Sequence, residues 1–151
     1  MDVGFDENGR KDMTDRKTKI NLMEKAIEAR KHSYAPYSGY MVGAALLCED
    51  GSIVTGCNVE NASYGATSCG ERTAAFKAVS EGKRRFLAIA IAGGKEGDTD
   101  YACPCGICRQ VLREFSDPKQ MEVFICKSTG DYKEMTLEAL LPESFGPENL
   151  Q

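Results

Sequence analysis

The spacing of apolar positions changes along the chain, and each change marks an element. Between Arg16 and Lys31, Ile20, Met23, Ala26 and Ile27 share one face while charges fill the other, which predicts a core-covering helix capped by Thr14 or Asp15. Tyr40 to Cys48 is apolar almost throughout, and Ile53 to Cys57 follows a tight turn at Glu49-Asp50-Gly51-Ser52, so these two runs are expected to form a hairpin. A second helix is expected from Cys69 to about Glu81, with Ala74, Ala75, Ala78 and Val79 on one side and Gly82 as its stop. Phe86 to Ala92 is an uninterrupted apolar run, the pattern of a strand buried on both faces.

A glycine-rich, acidic loop is expected from Gly93 to Asp100, and a third helix from about Pro104 or Cys105 to Phe115. That helix should turn Ile107, Val111, Leu112 and Phe115 inward and stop at Asp117-Pro118. A strand over Glu122 to Cys126, a turn at Ser128 to Asp131, a short strand near Tyr132 and a helix from Thr136 to Leu141 complete the order. Such alternation implies the α/β class, a three-layer αβα sandwich around a mixed, about five-stranded sheet.

Residues 1–14 carry glycines and charges without periodicity and are expected to be a flexible extension, leaving a single domain over 15–151. Nineteen basic against 23 acidic residues give a net charge of −4, with no basic run to track a phosphate backbone, so a nucleic-acid partner is not expected. No apolar stretch approaches the roughly 20 residues that span a bilayer, and no secretory signal is visible, so a cytoplasmic protein with no membrane partner is expected. Seven cysteines, an odd number, are then reduced thiols available for metal.

Two motifs carry chemistry. Cys69-Gly70-Glu71-Arg72 followed by Pro104-Cys105-Gly106-Ile107-Cys108 offers three thiolates for a zinc ion and one carboxylate to move protons beside it. Each part has a plainer reading alone. Ser68 and Glu71 have capping-box spacing, and a Cys-x-x-Cys pair also serves as a redox dithiol, half a structural zinc site or two buried thiols. Their conjunction, each opening its own expected helix, favours a catalytic zinc. Both groups fall where a strand hands over to a helix, at the carboxyl ends of what are expected to be neighbouring strands, the usual ligand crevice of an α/β sheet. Helix starts also favour the thiolate that zinc requires. Cys103 precedes a proline that biases it to extended geometry and is not expected to join Cys105 and Cys108 as a ligand. Cys48, Cys57 and Cys126 are expected to be buried thiols, and His32, the only histidine, a surface residue at a helix end. The polar connection from Asn58 to Thr67 reads equally as a solvated loop or as a set of substrate contacts.

With these motifs, and with Tyr37-Ser38, Val42-Gly43-Ala44-Ala45-Leu46, Gly56-Cys57-Asn58-Val59-Glu60-Asn61-Ala62 and Leu140-Leu141-Pro142, the chain closely resembles the small-subunit, homotetrameric cytidine deaminases of pyrimidine salvage. The resemblance runs from about residue 18 to the end. It implies that Cys69, Cys105 and Cys108 bind one Zn²⁺ per subunit, that Glu71 is the proton shuttle, and that Asn58 and Glu60 hold the ribose 3′-hydroxyl of a nucleoside. It also implies that the Ala62 backbone and the Tyr64 side chain approach the 5′ end of the sugar, and that Phe145 reaches over the base of a neighbouring subunit in a homotetramer with shared sites. Two positions depart from the family: Tyr40 stands beside the base where phenylalanine is usual, and Gly70 stands where alanine is usual, keeping the N–H that would meet the cytosine O2.

The expected reaction is hydrolytic deamination of cytidine and deoxycytidine to uridine and deoxyuridine, with a zinc-bound hydroxide attacking C4 and Glu71 relaying protons. Arg72, beside Glu71, is expected either to hydrogen-bond to ligand sulfur and draw off charge or to be an exposed helix arginine. Competing readings are a deaminase of another aminopyrimidine or of RNA, and a non-enzymatic zinc-stapled module closed by a fourth ligand such as Cys103.

Overall fold

Asp15 starts the first element, its carboxylate accepting a hydrogen bond from the Thr18 backbone at 2.7 Å and leaving α1 to run over Arg16–Arg30. The structure, a computed structural model, describes residues 14–151, so the expected N-terminal extension lies outside the described residues except for Thr14, which is buried. Among the described residues no helix is long and apolar enough to cross a membrane.

The sheet is built outward from β1 (Tyr40–Cys48), which pairs antiparallel with β2 (Ile53–Cys57) on one side and with β3 (Phe86–Lys95) on the other. β3 pairs parallel with β4 (Glu122–Ser128), and β4 antiparallel with β5 (Asp131–Thr136), giving five strands in the order β2-β1-β3-β4-β5. Alternation along these strands sends Ala45, Leu47, Ala88, Ala90, Ala92, Phe124 and Cys126 to one face, against Leu22, Met23 and Ala26 of α1. Ala44, Leu46, Ile89, Ile91, Val123 and Ile125 go to the other, under α2 (Gly70–Ser80), α3 (Gly106–Glu114) and the short α4 (Leu137–Leu140). The three-layer αβα sandwich expected from the pattern is the observed fold.

Two glycines bring the helices close. A Cβ at Gly43 would lie 2.1 Å from the Ala26 carbonyl of α1, and one at Gly56 would lie 2.5 Å from the Ala74 nitrogen of α2, so helix backbone rests directly on strand backbone at both places.

Several expected details change. β3 continues through Gly93 and Gly94 to Lys95, where a loop was expected, because these residues pair with Val42, Met41 and Tyr40 of β1 and the chain leaves the sheet only afterwards. The expected short strand near Tyr132 is the full partner of β4. Ile107 faces solvent rather than the core: Cys108 takes the inward position of that turn, and the preceding residue is rotated about 100° away from it. Cys48 and Cys126 are buried as expected, but Cys57 is only partly so, at the outer end of edge strand β2. His32 is exposed, as expected.

One buried acid on the α1 side has a measurable consequence. Glu122 is 9% exposed, its Oε1 has no hydrogen-bond partner, and burial pushes its carboxyl pKa up to about 7. The folded chain therefore keeps a proton that the unfolded chain releases near 4.5, so the stability that this one group contributes is fully present below that value and is lost as pH rises through about 7. The expected loss is of order 1–2 kcal/mol, and denaturant melts across this range should show a flatter pH profile for Glu122→Gln.

Candidate active site and metal centre

α2 and α3 both begin over the same end of the sheet because β2 and β3, from which their chains arrive, run in the same direction. The two strands are not neighbours, as the sequence suggested: β1 lies between them. Val42 of β1 fills the space beside Gly70 at the start of α2 and beside Gly93 near the end of β3, so one side chain separates the two ligand arms. An alanine Cβ at position 70 would lie 3.0 Å from the Val42 carbonyl, which explains why glycine suits this tight contact.

Cys69 and Cys105 are the N-caps of α2 and α3, and Cys108 stands in the first turn of α3. Neither cap thiol bonds back to its helix. Instead Cys105 Sγ lies 3.8 Å from Cys69 Sγ and 3.5 Å from Cys108 Sγ, and all three sulfurs fall within 4.8 Å of one another. A tetrahedron with Zn–S arms of about 2.3 Å has an edge of about 3.8 Å, so the sulfur set fits zinc in both donor type and size. Among the described residues no fourth His, Cys, Asp or Glu joins the group, and the exposed Cys103 stays outside it. Three donors define an open rather than a closed centre.

Charge is distributed unevenly here. Cys69 is held as the thiolate, its pKa drawn down to about 5 by hydrogen bonds from Cys108 first and from Arg72 and Cys105 after it. Cys108, which shares a proton with Cys69 and is buried, is pushed upward. Arg72 Nη2 donates to Cys69 Sγ at 3.4 Å and to the Thr67 carbonyl at 3.4 Å, so of its two expected readings the sulfur contact is the observed one. Glu71 is 4% exposed, and burial pushes its carboxyl to about 7 against the opposing hydrogen bond of the Cys108 thiol. The capping-box alternative does not hold, because the cap is Cys69 and Ser68 hydrogen-bonds instead to the Cys69 carbonyl and Thr73.

The polar connection is more ordered than its composition suggests. Asn58 is buried, with Oδ1 accepting from Val42 N at 2.9 Å and Nδ2 donating to the Tyr40 carbonyl at 2.7 Å, which leaves one Nδ2 hydrogen. Glu60 accepts from the backbones of Tyr37 and Ser38 at 2.9 and 3.1 Å and from the Ser38 hydroxyl, and the Ser38 bonds hold its carboxyl below the usual range. Tyr64 lies in a short 3₁₀ turn with its ring edge-on to Tyr37 at 5.7 Å, and Ala62 just before it is exposed. Tyr40 reaches Asp100 Oδ2 at 3.4 Å through its hydroxyl. Phe145 is exposed, its carbonyl accepting from Gln110 of α3. By sequence alone Ser38 and Val42 belong only to matching motifs and Asp100 to a loop, with no contact assigned to any of them; their partners, Glu60, Asn58 and Tyr40, are distant in the chain.

A domain of this architecture, with an open thiolate centre at two helix starts and a buried carboxyl beside it, defines a class of zinc-dependent hydrolytic deaminases. Residues 16–124 match the cytidine and deoxycytidylate deaminase zinc-binding region. The cytidine deaminase of Sporosarcina psychrophila is 48% identical over 129 residues, covering 85% of this chain and 92% of its own length. That of Mycobacterium tuberculosis strain H37Rv is 41% identical over 129 residues, covering 85% and 90%. The crystal structure of cytidine deaminase from Burkholderia pseudomallei superposes with a TM-score of 0.74 at 46% identity, covering 83% of this chain and 97% of that one. The chain belongs to the cytidine deaminase family, and Zn²⁺ is the cofactor for which Cys69, Cys105 and Cys108 are positioned.

Proposed function

We propose that this enzyme hydrolyses cytidine and deoxycytidine to uridine and deoxyuridine with release of ammonia, in cytoplasmic pyrimidine salvage. The observation that carries this reading is the conjunction of three sulfurs converging on one point with a buried Glu71 whose carboxyl pKa is raised to about 7. Zinc held by those sulfurs supplies a Lewis acid and a water acidic enough to attack near neutral pH. The protons are the work of Glu71. It takes one from the attacking water and gives it to pyrimidine N3, then moves the remaining one from the new C4 oxygen to the amine, whose bond to C4 breaks. Arg72 donates to Cys69 and draws negative charge from the three-thiolate centre.

Recognition of the sugar falls to Asn58, through its remaining Nδ2 hydrogen, and to the ionised Glu60, both directed at the ribose 3′-hydroxyl. The backbone of Ala62 and the Tyr64 side chain face the 5′ end, Gly70 N–H meets the base O2, and Tyr40 stands beside the ring. The exposed apolar side chains Tyr64, Phe76, Ile107 and Phe145 support a homotetramer in which Phe145 closes a neighbour's pocket. Incubating the zinc-loaded protein with cytidine, cytosine and a short oligonucleotide under one ultraviolet assay tests the reading. Uridine and ammonia are expected from the nucleoside alone; comparable turnover of free cytosine would remove the sugar contacts from the account.

A further inference from the structure

The chain that carries Cys105 leaves β3 at Lys95 and must cross back to start α3 at Gly106. Cys105 is exposed and makes no capping bond, so the place of its sulfur depends on how its backbone is held. Two residues before the motif are anchored. Ala102 is buried, its Cβ filling the space that Gly93 leaves open. Tyr101 is held from another direction: its hydroxyl donates to Asp131 Oδ1, and its ring centroid lies 4.5 Å from Lys127 Nζ and 4.4 Å from Lys133 Nζ.

All three partners come from the β4–β5 hairpin. Lys133 pairs with Ile125, whose side chain faces α2 and α3, and a register shift between Cys126 and Ser128 leaves Lys127 without a cross-strand partner. The Asp131 carboxylate offsets the two ammonium groups that converge on one ring, and it keeps the hydroxyl a donor by raising its pKa. The Tyr101 carbonyl in turn accepts from Cys103 N at 3.0 Å, so the anchor leads straight into the turn before Pro104 and Cys105. On the far side of the motif, Arg109 closes the segment by donating to the Pro104 carbonyl at 2.7 Å and the Leu140 carbonyl at 2.6 Å.

We propose that Tyr101, gripped by Asp131, Lys127 and Lys133, is a positioning residue for the metal centre: the grip fixes the Cys105 sulfur relative to Cys69 and so sets how firmly zinc is retained. The inference rests on Cys69, Cys105 and Cys108 being the zinc ligands. A loop ordered before binding loses less freedom when the ion arrives, so loosening it shows first as faster release.

The test uses full-length, zinc-loaded protein mixed with an excess of chromogenic chelator, comparing Tyr101→Phe, Asp131→Asn and the double variant with the unaltered chain. Each single change is expected to speed zinc release roughly five- to tenfold, the double change no more than the faster single one, because both remove the same bond. The cobalt(II)-substituted variants should show shifted visible bands, while the metal-free proteins melt at an unchanged temperature. Release at the unaltered rate, or effects that multiply in the double variant, overturns the proposal. An unaltered chain that holds no zinc overturns the ligand reading itself, and the grip with it. Firm zinc binding by every variant overturns only the grip.

Discussion

Glu71→Gln is expected to keep one zinc per chain and to lose about 10³–10⁴-fold in deamination of cytidine. The amide has the shape of the acid, and Glu71 is not among the clustered metal donors, so metal content should not change. What it cannot do is accept a proton and release it again, which the proposed reaction requires twice in one turnover, once from water to N3 and once from the C4 oxygen to the amine. Burial makes the natural side chain suited to that task, since a carboxyl raised to about 7 holds and releases protons at neutral pH with little free-energy cost either way. Metal analysis beside a turnover assay reads both halves, and near-normal turnover at full zinc occupancy would remove Glu71 from the proton path.

Cys108→Ala should have the larger effect on the metal itself. Cys108 is wholly buried and sits 3.5 Å from Cys105 Sγ, so its loss leaves only two of the three clustered sulfurs. Zinc content after dialysis is expected to fall below about one tenth of an ion per chain, with activity falling alongside it. Cys103→Ser serves as the contrast and should retain its zinc, because Cys103 lies outside the cluster. Loss of metal from Cys103→Ser with retention by Cys108→Ala would reverse the ligand assignment and favour a closed structural site.

Much of this was legible in the order of residues because the relevant signals are local. Cys105 and Cys108 are three apart, which places both in one helical turn, and Cys69 with Glu71 opens another, so the donor set follows from spacing once both helix starts are recognised. Periodicity likewise separates α1 from the strands and shows β3 to be buried on both faces. Local pattern misled where it was ambiguous. Gly93-Gly94 has the composition of a turn but is strand, because β1 pairs with it, and Ile107 is apolar but faces outward, because a ligand needs the inward position beside it.

By itself, then, the sequence determined the class of fold, the chemistry of the donors and the presence of a carboxyl beside them, since each depends on residue type and on neighbours a few positions away. Only the tertiary structure decided that β1 lies between the two ligand-bearing arms, that Val42 separates them, that Asn58 is locked onto β1 and that Tyr101 is held by the β4–β5 hairpin. The physical reason is distance along the chain. Strand order, burial and the pKa of Glu71 depend on groups far apart in sequence that meet only when the sheet closes, and no spacing rule reaches that far.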